Sequence, residues 1–207
     1  MSRELILYGL GEHGRVVLDT ALELGWTVLG FADDIGPSRD VPGFPHLGPF
    51  EEACARYPGA SWHVAIGTNA ARDQAMGRVR LQTGHEPVSL IHPKAWVSGH
   101  AVIGPGSWVA PMAVVATASV LGAGCIVNHG ASIDHDAQLG VCVHVAPGAR
   151  LPGRITLGDR VFVGCGASFV PGIRVGADAV VGAGAVVIKD VQEGVTVVGN
   201  PARPLGS

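Results

Sequence analysis

This 207-residue chain has no block of lysine or arginine: its 14 basic and 17 acidic side chains are scattered and leave a net charge of -3. That excludes the electrostatic footprint of a nucleic-acid or anionic-membrane binder and leaves room for small anionic ligands. No stretch of 18 apolar residues occurs, and the N-terminus lacks a charged leader with a cleavage site, so a soluble, cytoplasmic protein is expected. The four cysteines, Cys54, Cys125, Cys142 and Cys165, form no C-x-x-C pair. They read as free thiols packed as small apolar residues in a reducing compartment, with no disulfide. What the chain does have is 47% apolar residues, enough for a real core in one large domain or two small ones.

The first 90 residues carry most of the charge and read as alternating strand and helix. Strands are expected at Glu4 to Gly9, Trp26 to Ala32, Ser61 to Gly67 and Pro87 to Ile91. Helices are expected after Gly11 as far as Leu24, around Phe50 to Arg56 and at Ala70 to Gln82, with a Gly/Pro loop from Gly36 to Pro49. This is a small Rossmann-like parallel α/β domain. Its first turn is spelled "YGLGEHG", with Gly9, Gly11 and Gly14 in the G-x-G-x-x-G spacing and Asp33 and Asp34 about 20 residues further on, as in a dinucleotide fingerprint.

From Ile91 a step of six lands on a large apolar residue seventeen times in succession, through Val97, Ile103 and Val109 to Val175, Val181 and Val187. Six residues of α-helix turn through about 600° and hold no single face, whereas six residues of strand return to the same face. Short strands with a glycine-permitted corner after each hexad make a triangular parallel β-helix of three hexads per coil, residues 18 apart standing in one column. The boundary falls between residues 1–90 and 91–207. Flat prism faces would leave Trp108, Met112 and Phe162 in need of cover, which favours association into a trimer.

Three of the nine histidines, His129, His135 and His144, fall within three consecutive hexads, none of them at an inward position. His135 has an acidic neighbour on each side, Asp134 and Asp136, and Gly153 stands one coil above it with a backbone N–H to offer. An outward imidazole oriented by a carboxylate suits a general base. A zinc site built from the three histidines is the rival; their spacing matches no local ligand pattern, so no metal is expected. Cys142 and Cys165 lack an arrangement that would activate them as nucleophiles.

With "YGLGEHG", "FADD", "SLIHPKAWVSG", "IDHDAQLG" and the terminal "VGNPARPL" in view, the chain resembles, over nearly its whole length, the left-handed β-helix sugar acyltransferases, the group of sialic acid O-acetyltransferases and bacillosamine-pathway N-acetyltransferases. The resemblance implies the left-handed winding, acetyl-CoA as acyl donor, and a homotrimer with active sites between subunits. It makes His135 the base, oriented by Asp136, where the family often has Glu. It places His144 near the thioester, the amide of Gly153 as an oxyanion donor and Asn128 as a positioning group. Coenzyme A would pass backbone near Cys165 and Ala183; on charge alone, Lys189 and Arg203 are expected to meet its phosphates.

A domain of about 90 residues supplies one mononucleotide half, not two. Gly9, Gly11, His13 and Gly14 are therefore expected to cradle the diphosphate or sugar of a nucleotide-linked substrate, with Asp33 and Asp34 at the base or ribose; glycines present only for turn geometry are the alternative. The function expected is acetyl transfer to the 4-amino group of a nucleotide-linked 4-amino-4,6-dideoxy sugar. O-acetylation of sialic acid or a related sugar, or a non-catalytic nucleotide-sugar-binding protein, are the competing readings, and a dehydrogenase ranks last.

Overall fold

The computed structural model describes residues 3–36 and 41–206. The buried run Leu5, Ile6, Leu7 and Tyr8 builds the central strand β1 (Glu4–Tyr8), which pairs in parallel with β2 (Thr27–Ala32) on one side and β3 (Ser61–Val64) on the other. A strand buried on both faces reads as a continuous apolar run, and this one does. Helices α1 (Glu12–Glu23), α2 (Phe50–Arg56) and α3 (Asn69–Thr83) complete this part. The expected strand from Pro87 does not join the sheet. Val88 donates one hydrogen bond to the Trp62 carbonyl, after which Leu90 and Ile91 pair with Trp108 and Val109. Those two residues are already in phase with the hexads, so the solenoid claims them. Of the expected loop, residues 37–40 lie outside the described residues, and Pro45 to Gly48 run along β2 through backbone hydrogen bonds to Phe31 and Asp33.

Seventeen two-residue strands follow from Leu90–Ile91 to Val186–Val187, and each ends on one of the seventeen apolar residues of the period. They stack into three parallel sheets, the faces of a triangular prism. Partners are 18 residues apart, as in Ile126 with His144 and Ser132 with Arg150. The first sheet holds Trp108, Ile126, His144 and Phe162; the second holds Val114, Ser132 and Arg150; the third holds Val120, Gln138 and Thr156. The inward column from Val109 to Val187 is at most 8% exposed, and each such side chain contributes roughly 1.5–3 kcal/mol of burial. The last coil is two residues short, since Val180 pairs with Thr196.

The corners differ from the expectation. A residue with φ between 52° and 80° recurs at every sixth position from Gly106 to Gly184, and half of these are not glycine: Met112, Ala118, Asp136, Cys142, Arg154, Arg160 and Asp178. Glycine is demanded at a different phase. At Gly104, Gly122, Gly140, Gly158 and Gly176, which form one 18-residue column, a Cβ would lie within 2.3–2.6 Å of an atom of the next coil. Close stacking, not positive φ, fixes that column.

The α/β part sits on the lower half of the first sheet. Trp108 is not waiting for a partner chain. It is 1% exposed, packs in one core with Leu10, Val17 and Leu18, and its Nε1 donates to Thr20 Oγ1 at 2.9 Å. Its own chain covers it because α1 lies across that face. Met112 remains 75% exposed, and Phe162 is half-buried against His144.

Candidate active site

His135 stands at the corner between the second and third sheets, two residues beyond the inward Ile133. Asp136, next to it, takes the left-handed conformation with φ 58°, one that Asp tolerates better than most residues. From there its Oδ2 reaches His135 Nδ1 at 2.7 Å. The shorter side chain therefore suffices where the family often has Glu. Asp134 does different work: its Oδ1 accepts the backbone N–H of His135 at 2.8 Å. With Nδ1 donating to Asp136, Nε2 is left with the lone pair, the arrangement a base requires. The ring lies over Gly153, where any Cβ would be 2.4 Å from Cε1 and Nε2. Among the described residues the Gly153 N–H has no hydrogen-bond partner, and the same holds for the N–H groups of Cys165 and Ala183. Cys165 is exposed rather than packed, because this corner of the prism points outward. Lys189 is exposed two residues beyond Val187, and Arg203 near the C-terminus turns its Nη1 to the Ala202 carbonyl.

His144 is not at that corner. It occupies the outer face of the first sheet, and its Nε2 is 3.3 Å from Asn128 Nδ2. Asn128 Oδ1 accepts from His129 Nδ1 at 2.8 Å. His13, in the first turn of α1, points down to the same face, with its ring 5.1 Å from that of Trp108 and 6.3 Å from that of His144. Burial, then the neighbouring His144, push the His13 pKa down to about 3. Burial and the Arg72 guanidinium take His144 to about 4, against a smaller pull from the Gly67 carbonyl. Both rings are neutral near pH 7, and each keeps one buried nitrogen without a partner, His13 Nε2 and His144 Nδ1. The histidine segment is thus divided: His135 on one edge of the prism, His129 and His144 elsewhere. Among the described residues no three metal-ligating side chains converge.

A cleft of about 500 Å³ lies between the first turns of α1 and α3, lined by Gly9, Gly11, His13, Asp33, Asp34, Gly67 and Thr68 among others. The three glycines have three reasons. A Cβ on Gly9 (φ 118°) would meet the Ala65 carbonyl at 2.8 Å, and one on Gly14 would meet the Gly9 carbonyl at 2.3 Å. Gly11 has nothing within 4 Å and an ordinary φ of -76°. Only Gly11 keeps space open for something outside the protein. Asp33 is spent partly on the turn, accepting from the N–H groups of Leu10 and Ile35. Asp34 is held by Tyr8, Phe50 N–H and Arg78. Those bonds outweigh the upward effect of burial and keep its carboxyl below the usual range. Neither cap of α1 or α3 uses a side chain, so both helix N-termini present free N–H groups to the cleft, a favourable setting for an anion. A second cleft of about 460 Å³, lined by His144, Phe162 and Arg160, shares Gly67 and Thr68 with the first.

Sequence reasoning missed Arg72. It heads the buried stripe of α3, Arg72, Ala75, Met76 and Val79, at helical spacing. An arginine opening an otherwise apolar stripe was the available signal.

Comparison with known proteins agrees with this geometry. Residues 4–79 match the PglD N-terminal domain, and residues 154–189 match the bacterial transferase hexapeptide model of six repeats. Among proteins of curated function no sequence matches the chain. The acetyltransferase domain of PglB from Neisseria gonorrhoeae FA1090, solved with acetyl coenzyme A, is 39% identical, covering 99% of this chain and 100% of that one with a TM-score of 0.91. PerB from Caulobacter crescentus, solved with CoA and GDP-perosamine, is 36% identical, covering 98% of this chain and 97% of that one, TM-score 0.91. WeeI from Acinetobacter baumannii AYE is 26% identical, covering 97% and 99%, TM-score 0.87. With a six-residue period, an N-terminal α/β part and relatives at this identity along its whole length, the chain belongs to the hexapeptide-repeat sugar acetyltransferases that carry a PglD-type N-terminal domain.

Proposed function

We propose that the protein transfers acetyl from acetyl-CoA to the 4-amino group of a nucleotide-linked 4-amino-4,6-dideoxy sugar, as a cytoplasmic homotrimer serving surface-polysaccharide synthesis. Residues 1–90 bind the nucleotide and residues 91–207 carry the chemistry. One observation bears most of this reading: an imidazole on the outside of the prism, its Nδ1 held by Asp136 and its Nε2 free above Gly153. His135 Nε2 takes the proton of the amine as its nitrogen attacks the thioester carbonyl. The C–S bond breaks, and the imidazolium returns the proton to the departing sulfur. The N–H of Gly153, over which the ring lies, serves as donor for the developing oxyanion, which needs a fixed partner and no covalent enzyme intermediate. Cys165 and Ala183 offer N–H groups unpaired among the described residues along the path assigned to coenzyme A, with Lys189 and Arg203 as its phosphate partners.

The nucleotide cleft opens toward His144 on the first sheet, while His135 stands on another edge of the same prism. A second copy that presents its His135 edge to this cleft completes the site, which is why a trimer belongs to the proposal. The relatives point to the substrate class, since PerB was solved with GDP-perosamine. The test is thiol release from acetyl-CoA with a panel of UDP-, GDP- and dTDP-linked 4-amino sugars alongside sialic acid. Turnover of one nucleotide-linked amino sugar is the expected result; turnover of sialic acid alone replaces the proposal with O-acetylation.

A further inference from the structure

Arg72 is 1% exposed and touches no carboxylate, an expensive place for a charge. Its five N–H bonds are nevertheless all used. Nε donates to the Gly124 carbonyl at 2.7 Å, Nη1 to the carbonyls of Ile66 and Gly67 at 2.9 Å each, and Nη2 to Asn69 Oδ1 and the Cys142 carbonyl at 2.8 Å each. Two acceptors belong to the prism and three to the turn that leads into α3. Lysine, with three donors on a point, has no means of matching this fork.

Two consecutive carbonyls of that turn, Ile66 and Gly67, are drawn to one guanidinium. In a trans peptide the N–H lies opposite the carbonyl, so the N–H groups of Gly67 and Thr68 are turned away from Arg72. Among the described residues neither has a hydrogen-bond partner. Both residues line the nucleotide cleft and the adjoining cleft beside His144. From this geometry we infer that Arg72 is a positioning residue: without touching substrate, it holds the Ile66–Asn69 turn so that the Gly67 and Thr68 amides bind the diphosphate of the nucleotide-linked sugar. The inference rests on the proposed reading of the first cleft as the nucleotide site. It accounts for a cleft meant for a dianion that has no free cation among its described lining residues. Backbone N–H groups at a turn are a sufficient anion cradle.

The test uses the full-length protein and titrates UDP, GDP and dTDP by calorimetry. Thr68 has φ -71° and no side-chain cap bond, so Thr68→Pro removes one N–H from a backbone already suited to proline. Thr68→Pro is expected to bind the preferred nucleoside diphosphate roughly tenfold more weakly, the loss of one hydrogen bond to a charged group. Thr68→Ala, which keeps the amide, is expected to bind as the parent does. Arg72→Lys is expected to raise KM for the nucleotide sugar by roughly tenfold while kcat and the KM for acetyl-CoA stay within about twofold, the signature of lost ground-state binding. Should Arg72→Lys fail to fold, the two Thr68 variants decide. Parent-like nucleotide affinity in Thr68→Pro overturns the inference and leaves the cleft reading intact. Absence of nucleoside diphosphate binding in the parent overturns both.

Discussion

At the scale of single residues, the proposed chemistry depends on a ring that is held rather than merely present. Asp136 fixes the tautomer of His135, and Gly153 gives the ring its seat. Replacing His135 by Asn is expected to lower kcat by about 10²–10⁴-fold, the usual contribution of a general base, with folding intact. Asp136→Asn keeps a residue that tolerates φ 58° and removes the charge, so the loss there is expected to be smaller and confined to kcat. Gly153→Ala would put a methyl into the imidazole and is expected to abolish turnover, with acetyl-CoA affinity changed little. Steady-state kinetics with circular dichroism on each variant checks all three. Gly11→Phe is the complementary case. Its backbone φ suits any residue and no atom of the described residues lies within 4 Å of where its Cβ would stand, so the variant is expected to melt like the parent and fail to bind nucleotide sugar.

At the scale of elements, the six-residue period was readable because each hexad returns to one face of a strand, and all seventeen apolar residues stand where that argument puts them. The period says which side chains point inward and nothing about what covers those pointing outward. That is why Trp108 was expected at a subunit contact and is found beneath α1. Likewise, Leu90 and Ile91 satisfy both a strand-end reading and the hexad phase, and register with Trp108 and Val109 decides between them. The glycine column has a measurable price: Gly122→Ala forces a Cβ to 2.6 Å from the Gly140 backbone. It is expected to destabilise the protein by about 1–3 kcal/mol in denaturant titration, an overpacking cost, while Gly99→Ala, exposed and with nothing within 4 Å of its Cβ, is expected to cost less. That His135, Asp136 and Gly153 stand together was legible because they are neighbours in sequence or one coil apart. Arg72 and the Gly67–Thr68 turn were not, since their meaning comes from contacts with residues 52 and 70 positions away, at Gly124 and Cys142.

At the scale of the whole molecule, three histidines are kept neutral by folding. Burial is the main cause at each, and it lowers His13 to about 3 and both His63 and His144 to about 4. A histidine whose pKa is depressed in the folded state binds its proton more readily when unfolded. Stability is therefore expected to be full above about pH 6.5 and to fall as pH drops from there toward 4. Denaturant titrations across that window check this, and His63→Gln, which removes the imidazole that bonds the Val88 carbonyl, should flatten the slope. The proposed division of the site between two edges of the prism has the larger consequence. Chains carrying His135→Asn keep an intact cleft, and chains carrying Gly11→Phe keep an intact base. Coexpressed in equal amounts and purified together without separating mixed from uniform oligomers, two inactive variants are expected to recover activity in about a quarter of sites by random assortment of subunits. Mixed oligomers with no activity above that of either variant alone would place base and cleft in the same chain and contradict the account.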